Sequence, residues 1–335
     1  MKKIAVGLIA SSLIVLLLAA IGAYWAYQTL LTYGHSPINT VTPVELQVKR
    51  GTSFYELATQ LQDQGLIDDA QKLRWLARVK PSIAHIRSGL YQVEPTDSID
   101  SLLAKIADNQ EKVFTLTLVD GLTIKEWSAQ LQNAQHMTYE PDVFNKVLEA
   151  NGDDSRLPEG KFFPDTYQYR AGESLFDLLN TSYLKMQQAL ADAWNNRDPD
   201  LPLTSQYQLL ILASIIEKET AQAQERPQIA AVFMNRLRKG MRLQTDPTVI
   251  YGMGERYKGN ITRKDLREQT PFNTYRIKGL TPTPIAAPSL AAIQAAAHPA
   301  KVDYLYFVSR NDGSHVFSHT LKEHNRAVNK YQRNR

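Results

Sequence analysis

Between Lys3 and Gln28 the chain carries no charged residue, and the stretch is dominated by Ile, Leu, Val and Ala. At roughly 1.5 Å of rise per residue, a helix of that length reaches across a hydrocarbon core of about 30 Å. Tyr24, Trp25 and Tyr27 at its far end suit the belt where aromatic side chains sit at headgroup level. Lys2 and Lys3 favour a cytoplasmic N-terminus, so the rest of the chain is expected beyond the bilayer. A cleaved signal peptide is the other reading, because Ala20, Gly22 and Ala23 are small. The apolar run is long for a signal sequence, however, and an uncleaved anchor fits better.

Everything after the anchor must therefore build its own core and its own wetted surface. The 335 residues are 43% hydrophobic and 21% charged, which is ordinary globular usage and excludes both a polytopic membrane protein and global disorder. That length is more than one average domain. A formal charge of +4 leans toward anionic partners without choosing among nucleic acid, lipid and wall polymer. The absence of cysteine removes disulfides, thiolate nucleophiles and Cys-ligated zinc, leaving carboxylate, His, Ser/Thr or Lys for any chemistry. No GxxxxGK[ST], GxGxxG or GxSxG segment occurs, which argues against nucleotide binding and α/β-hydrolase chemistry.

Residues 29–43 are more polar and contain Gly34, Pro37 and Pro43, a linker composition. Residues 44–48 then alternate like a short strand, Gly51 and Thr52 mark a turn, and Ser53 is placed to cap a helix starting near Phe54. The stretch VKRGTSFYELATQLQDQGLI resembles the beginning of LysM-type wall-binding modules; a generic small α+β module without sugar affinity gives the same pattern. Further strand character at 89–93 and 113–119, with helical patterns at 98–107 and 124–132, makes the chain α+β.

The segment QYQLLILASIIEKETAQAQERPQIAAVFMNRLRKG, residues 206–240, reads as two helices, the second opening near Pro227. At 100° per residue, Leu212, Ile215 and Ile216 lie within about 60° of Glu219, whereas Glu217 shares its stripe with Leu210, Ala213 and Ser214. A carboxyl on a bulky apolar stripe is desolvated and holds its proton toward neutral pH, which makes Glu219 the better general acid. On pattern alone, a surface carboxylate or a buried ion pair with Arg226 or Arg236 stays open.

Several ordered motifs resemble one family: FPDTY at 163–167, LASIIEKET at 212–220, FMNRL at 233–237, MRLQTDPTVIYGMG at 241–254, FNTY at 272–275 and AAAHPAKVDYLYFV at 295–308. With the anchor and the LysM-like stretch, they make nearly the whole chain similar to the endolytic murein transglycosylases, the MltG or YceG family. The segment GLTPTPIAAPS departs from the family pattern at Thr281, Ala287 and Ser289. The resemblance implies that Glu219, second glutamate of the EKE segment, is the catalytic residue, with Glu217 in support. It implies cleavage of the β-1,4 bond between N-acetylmuramic acid and N-acetylglucosamine in nascent peptidoglycan strands, leaving 1,6-anhydro ends and limiting strand length. It supplies polar and aromatic candidates for a sugar cleft: Gln244, Thr245 and Asp246 in one loop, Asn273, Thr274 and Tyr275 in another, and Asn235, Tyr251, Phe163 and Asp165 besides. Each has a structural alternative: Asp246 as a cap for the helix opened by Pro247, Asn235 as a partner for backbone, Phe163 as core.

The expected organisation is a cytoplasmic tip and transmembrane anchor (1–28), a linker (29–43), a LysM-like module (44–110), a connecting α+β segment (111–150) and a larger mixed α+β catalytic domain (151–335), the last in the periplasm and the first in the inner membrane. Expected partners are glycan strands, the bilayer and, by resemblance, penicillin-binding proteins and elongation enzymes; nucleic acid is not among them. No cofactor is expected. His315, His319 and His324 raise the question of zinc, but residues 304–319 read as a hairpin with Asn311-Asp312-Gly313 at its turn. His315 and His319 would then lie about 13 Å apart along one strand, too far to share an ion.

Overall fold

The computed structural model describes residues 2–333; Met1, counted with the anchor, and the last two residues, counted with the catalytic domain, lie outside the described residues. The chain divides into two compact units, Met1–Phe114 and Thr115–Arg335. Both mix helices with short strands, and the architecture is α+β.

In the first unit, α1 spans Lys2–Gly34. Its part from Ser11 to Gly34 is long and apolar enough to cross a membrane, and side chains such as Leu13, Leu16 and Trp25 stand exposed along it. The helix runs through residues 29–34 of the stretch whose composition suggests a linker, because Leu30, Leu31 and Tyr33 continue the helical spacing and pack on the unit's core. There follow β1 (Val44–Val48), α2 (Phe54–Asp63), α3 (Ala70–Val79), β2 (Gly89–Val93) and α4 (Ile99–Ala107).

Local signals set these boundaries. Ser53 and Glu56 form a reciprocal capping box at the start of α2, Asp69 accepts the amides of Gln71 and Lys72 at 2.8 and 3.1 Å to open α3, and Ser98 caps α4. Strands β1 and β2 pair antiparallel with Leu46 opposite Tyr91. Leu46 and Tyr91 are buried with Leu57, Leu61, Leu73, Leu76 and Leu102. Emptying one of these positions, as in Leu61→Ala, removes about 2–5 kcal/mol.

The second unit takes in most of β3 (Val113–Thr117), then α5 (Ile124–Leu131), α6 (Val143–Ala150), β4 (Thr166–Arg170), α7 (Leu175–Asn195), α8 (Gln206–Glu219), α9 (Arg226–Arg238), α10 (Asp246–Met253), α11 (Leu290–Ala297), the hairpin strands β5 (Tyr306–Ser309) and β6 (His315–Ser318), and α12 (Leu321–Val328). Helix α8 is the axis of this unit: every residue from 209 to 216 is buried, under α7, α9 and α11. Alanines at 292, 295 and 296 keep the α11 face low enough for close approach. The one hydroxyl inside α8's buried stretch, Ser214, donates to the Ile211 carbonyl at 2.7 Å and accepts the Ile285 amide at 3.0 Å. The hairpin turns through Asn311 (φ 66°) and Gly313 (φ 85°), a left-handed backbone that these residue types tolerate.

Candidate active site

Helix α8 ends at Glu219, where two features meet. Surrounding protein desolvates the carboxyl. The neighbouring Asp246 carboxylate repels it. Together these push Glu219 up to about 7, against the opposing pull of the Thr245 hydroxyl, which donates to Glu219 Oε1, and of His315 and Arg236. At neutral pH the group is divided between acid and base.

Glu219 forms part of the floor of a cleft of about 540 Å³, and it also lines a second opening of about 450 Å³ with Gly121, Leu122 and Arg226. Around the first cleft the loop before α10 contributes Gln244, Thr245 and Asp246, β5 contributes Tyr306, β6 contributes His315, and α12 contributes His324. Thr245 is fixed from behind: its amide donates to the buried Thr274 hydroxyl at 3.0 Å, and the Thr274 carbonyl accepts the Gln244 amide at 3.2 Å. Gln244 sits at φ 51°, a bend that turns the loop toward Glu219. Tyr275 lies in the cleft and donates its hydroxyl to Asp246 at 2.7 Å; burial and the Asp246 charge hold its proton on.

The structure thus brings Glu219, Gln244, Thr245, Asp246 and Tyr275 together, with Thr274 behind them. It sends the other sequence candidates elsewhere. Asn273 is buried, and its amide donates to the carbonyls of Asp265, Leu266 and Glu268 at 3.1, 3.3 and 2.7 Å. Asn235 ties α9 to the Val302 and Tyr304 carbonyls at 2.9 and 3.0 Å. Tyr251 donates to Glu159 at 3.1 Å and packs on Phe272. Phe163 is core, under the Lys185 ammonium, and Asp165 takes an exposed ion pair with the same lysine. Asp246 serves as a partner for Tyr275 and not as a helix cap; α10 has Thr245 at its cap position, without a side-chain capping bond.

Glu217 differs from Glu219 in kind. Its side chain is almost fully covered, accepts the Ser289 amide at 2.9 Å and hydroxyl at 2.5 Å, and lies 3.6 Å from the Arg226 guanidinium. Ser289 is itself the cap of α11, accepting the Ala292 amide. Glu217 therefore fastens α11 to α8, and the ion pair with Arg226 weighed for Glu219 belongs to its neighbour.

The pattern offers Arg236 only as an ion-pair alternative for Glu219 and does not single out Tyr306 or Glu225. Arg236 is buried, donates to the Leu305 and Leu243 carbonyls at 2.7 Å each, and lies under the Tyr306 ring. Glu225 grips the start of β6 twice, accepting the His315 amide at 2.8 Å and meeting its Nδ1 at 2.6 Å. Ninety positions separate that pair, so the signals that point here are the FMNRL motif around Arg236 and the AAAHPAKVDYLYFV motif that contains Tyr306. His319 instead pairs with Asp303 at 2.6 Å, and His324 stacks on Tyr306, so the three histidines make separate contacts.

A profile of the YceG-like family matches residues 46–330. An endolytic murein transglycosylase of Bacillus subtilis (strain 168) is 30% identical over 329 residues, spanning 89% of each chain. One from Streptococcus pneumoniae serotype 2 (strain D39) is 27% identical over 357 residues, covering 95% of this chain and 64% of that protein. In structure, the chain is similar to a crystallised yceG-like protein from Listeria monocytogenes, with a TM-score of 0.55, 28% identity, and coverage of 86% of this chain and 99% of the other.

Proposed function

The chain belongs to the YceG-like family, and from that premise we propose that it is an endolytic murein transglycosylase with Glu219 as its one acid and base. The observation that carries the reading is a carboxyl raised to about 7 at the floor of an open cleft, with polar and aromatic side chains around it. Protonated Glu219 gives its proton to the glycosidic oxygen as the bond from the muramyl C1 breaks, the electron pair leaving on the glucosamine oxygen. The muramyl C6 oxygen then closes on C1, and the Glu219 carboxylate takes the proton that oxygen loses. The carboxyl is regenerated, no water is consumed, and the product ends in 1,6-anhydromuramic acid. A second carboxylate is not needed in this sequence, which suits the involvement of Glu217 with Ser289 and Arg226.

Glu219 lines two openings, which supports a strand lying along its surface at Glu219, as internal cleavage requires. Tyr275 and Tyr306 offer ring faces, and Gln244 and Asp246 offer hydrogen bonds, to the sugars. In the same reading α1 anchors the chain in the inner membrane, with its N-terminus cytoplasmic and the rest periplasmic, where it limits glycan strand length beside penicillin-binding proteins and elongation enzymes. The sequence β1, turn, α2, α3, β2 supports a LysM-like module in the first unit.

The test is digestion of uncrosslinked glycan strands by the full chain, with product masses read by mass spectrometry. Internal fragments with anhydro ends are the expected result. Reducing ends would mean that water attacks, with Asp246 as a second carboxylate, and absence of cleavage would leave a binding protein.

A further inference from the structure

Within the first unit the outer part of α1 packs on α3, and the two helices border a groove of about 780 Å³. Trp25, Ala26 and Leu30 line it from α1, Lys72 and Trp75 from α3, and none of its lining residues is acidic. Helix α3 is two-faced: Leu73 and Leu76 enter the core, while Lys72, Trp75, Arg78 and Val79 stand exposed. Trp75 keeps 47% of its surface open, the Arg78 guanidinium lies 4.5 Å from its ring centre, and the Lys72 ammonium faces the Tyr33 ring at 5.9 Å.

An indole left open between two cations gains little in water. The same set of groups is favourable where acyl chains meet phosphates, since the ring is amphipathic and the cations meet negative charge. The groove joins Trp75 to Trp25, which is 72% exposed at the end of the uncharged run, so both indoles border one stretch of α1. Of the other cations of α3 and its end, Arg74 is occupied by the Thr59 hydroxyl and the Tyr55 ring, and Lys80 by Asp100. Lys72, 4.0 Å from Asp69, is only loosely held.

Given the reading that α1 spans a bilayer, we infer that α3 is an interfacial collar: Lys72 and Arg78 bind the headgroups of anionic phospholipid in the leaflet where α1 emerges, and Trp75 sits at the boundary between headgroups and acyl chains. The collar fixes how far the first unit stands from the membrane, which a single spanning helix alone does not do.

The test uses the full chain in liposomes of phosphatidylcholine, with or without phosphatidylglycerol, whose acyl chains carry bromine. The Trp75 signal is the difference in emission between W25F and W25F/W75F, and the Trp25 signal is the difference between wild type and W25F. Bromine is expected to quench Trp75 about twofold with phosphatidylglycerol present and less without it, and K72E/R78E is expected to abolish that difference. Quenching of Trp25 alone, with Trp75 open to aqueous acrylamide, would overturn the collar and leave the span standing. Failure to quench Trp25 would overturn the span and the collar with it. Protection of Trp75 from both quenchers would mean that protein, such as a second copy, covers it, and would also overturn the inference.

Discussion

The two sides of the last turn of α8 carry carboxylates two positions apart, and their surroundings make them opposites. Toward α11, Glu217 accepts two bonds from Ser289 and faces Arg226. Toward the loop before α10, Glu219 has one hydroxyl, a repelling Asp246 and an open cleft. A carboxylate satisfied by donors is a fastener. One left desolvated with a single donor holds its proton to about 7 and can pass it on.

The sharpest way to break this contrast is to exchange oxygen for nitrogen on each side. Glu219→Gln is expected to lower the rate of strand cleavage by about 10³-fold or more, because the amide keeps the shape and cannot cycle a proton. Glu217→Gln is expected to stay within about tenfold of wild type, since its part is to hold α11. Equal losses in initial-rate assays would erase the distinction.

Stability should divide the other way. Glu217→Ala strands Arg226 and frees the Ser289 cap, at an expected cost of about 2–4 kcal/mol in chemical denaturation. Glu219→Gln should stabilise the fold above pH 7. The unfolded glutamate ionises near 4.5 while the folded one stays protonated to about 7, so the native state binds the extra proton in between and loses stability as pH rises through that window. The variant lacks this loss; an expected gain of about 1–3 kcal/mol at pH 8, vanishing by pH 4, is visible as a difference between denaturation curves at the two pH values.

Subtler changes adjust Glu219 without removing it. Thr245→Val deletes the hydroxyl that favours the charged form, so the pH above which cleavage is expected to decline should move upward from the wild-type value. His315→Gln should move it in the same direction, because His315 also pulls Glu219 down. A shift toward lower pH in either variant's rate profile would reverse the assigned causes. At the small end, Asp165→Asn removes an exposed ion pair with Lys185 and should change stability by less than about 1 kcal/mol and leave cleavage unaltered.

How much of this was legible beforehand follows the range of the forces involved. Ser53, Ser98 and the Asn311-Asp312-Gly313 turn act within a few residues, and the helices and hairpin they announce lie where the pattern puts them, as do β1 and β2. Helical spacing by itself does not single out Glu219. Helix α8 is buried on all sides from Leu209 to Ile216, so both glutamates share stripes with buried residues, and the stripe alone does not tell them apart. What does is Ser289, 72 positions from Glu217, and Thr245, 26 positions from Glu219. The loops before α10 and around Tyr275 were recognised by motif, yet Asn273 in the same motif spends its amide on backbone. Adjacency in sequence does not say which side chain faces the cleft.

The most direct test of the central claim is the titration of the glutamate side-chain carboxyls by carbon-13 NMR in the wild-type chain and in Glu219→Gln. Glu159, buried against Tyr251 and the Ile124 amide, is also raised to about 7 and serves as an internal reference. The account predicts two carboxyl signals with midpoints near 7, one of which disappears in the variant. If the signal lost in the variant is one that titrates in the ordinary range near 4.5, the claim is contradicted.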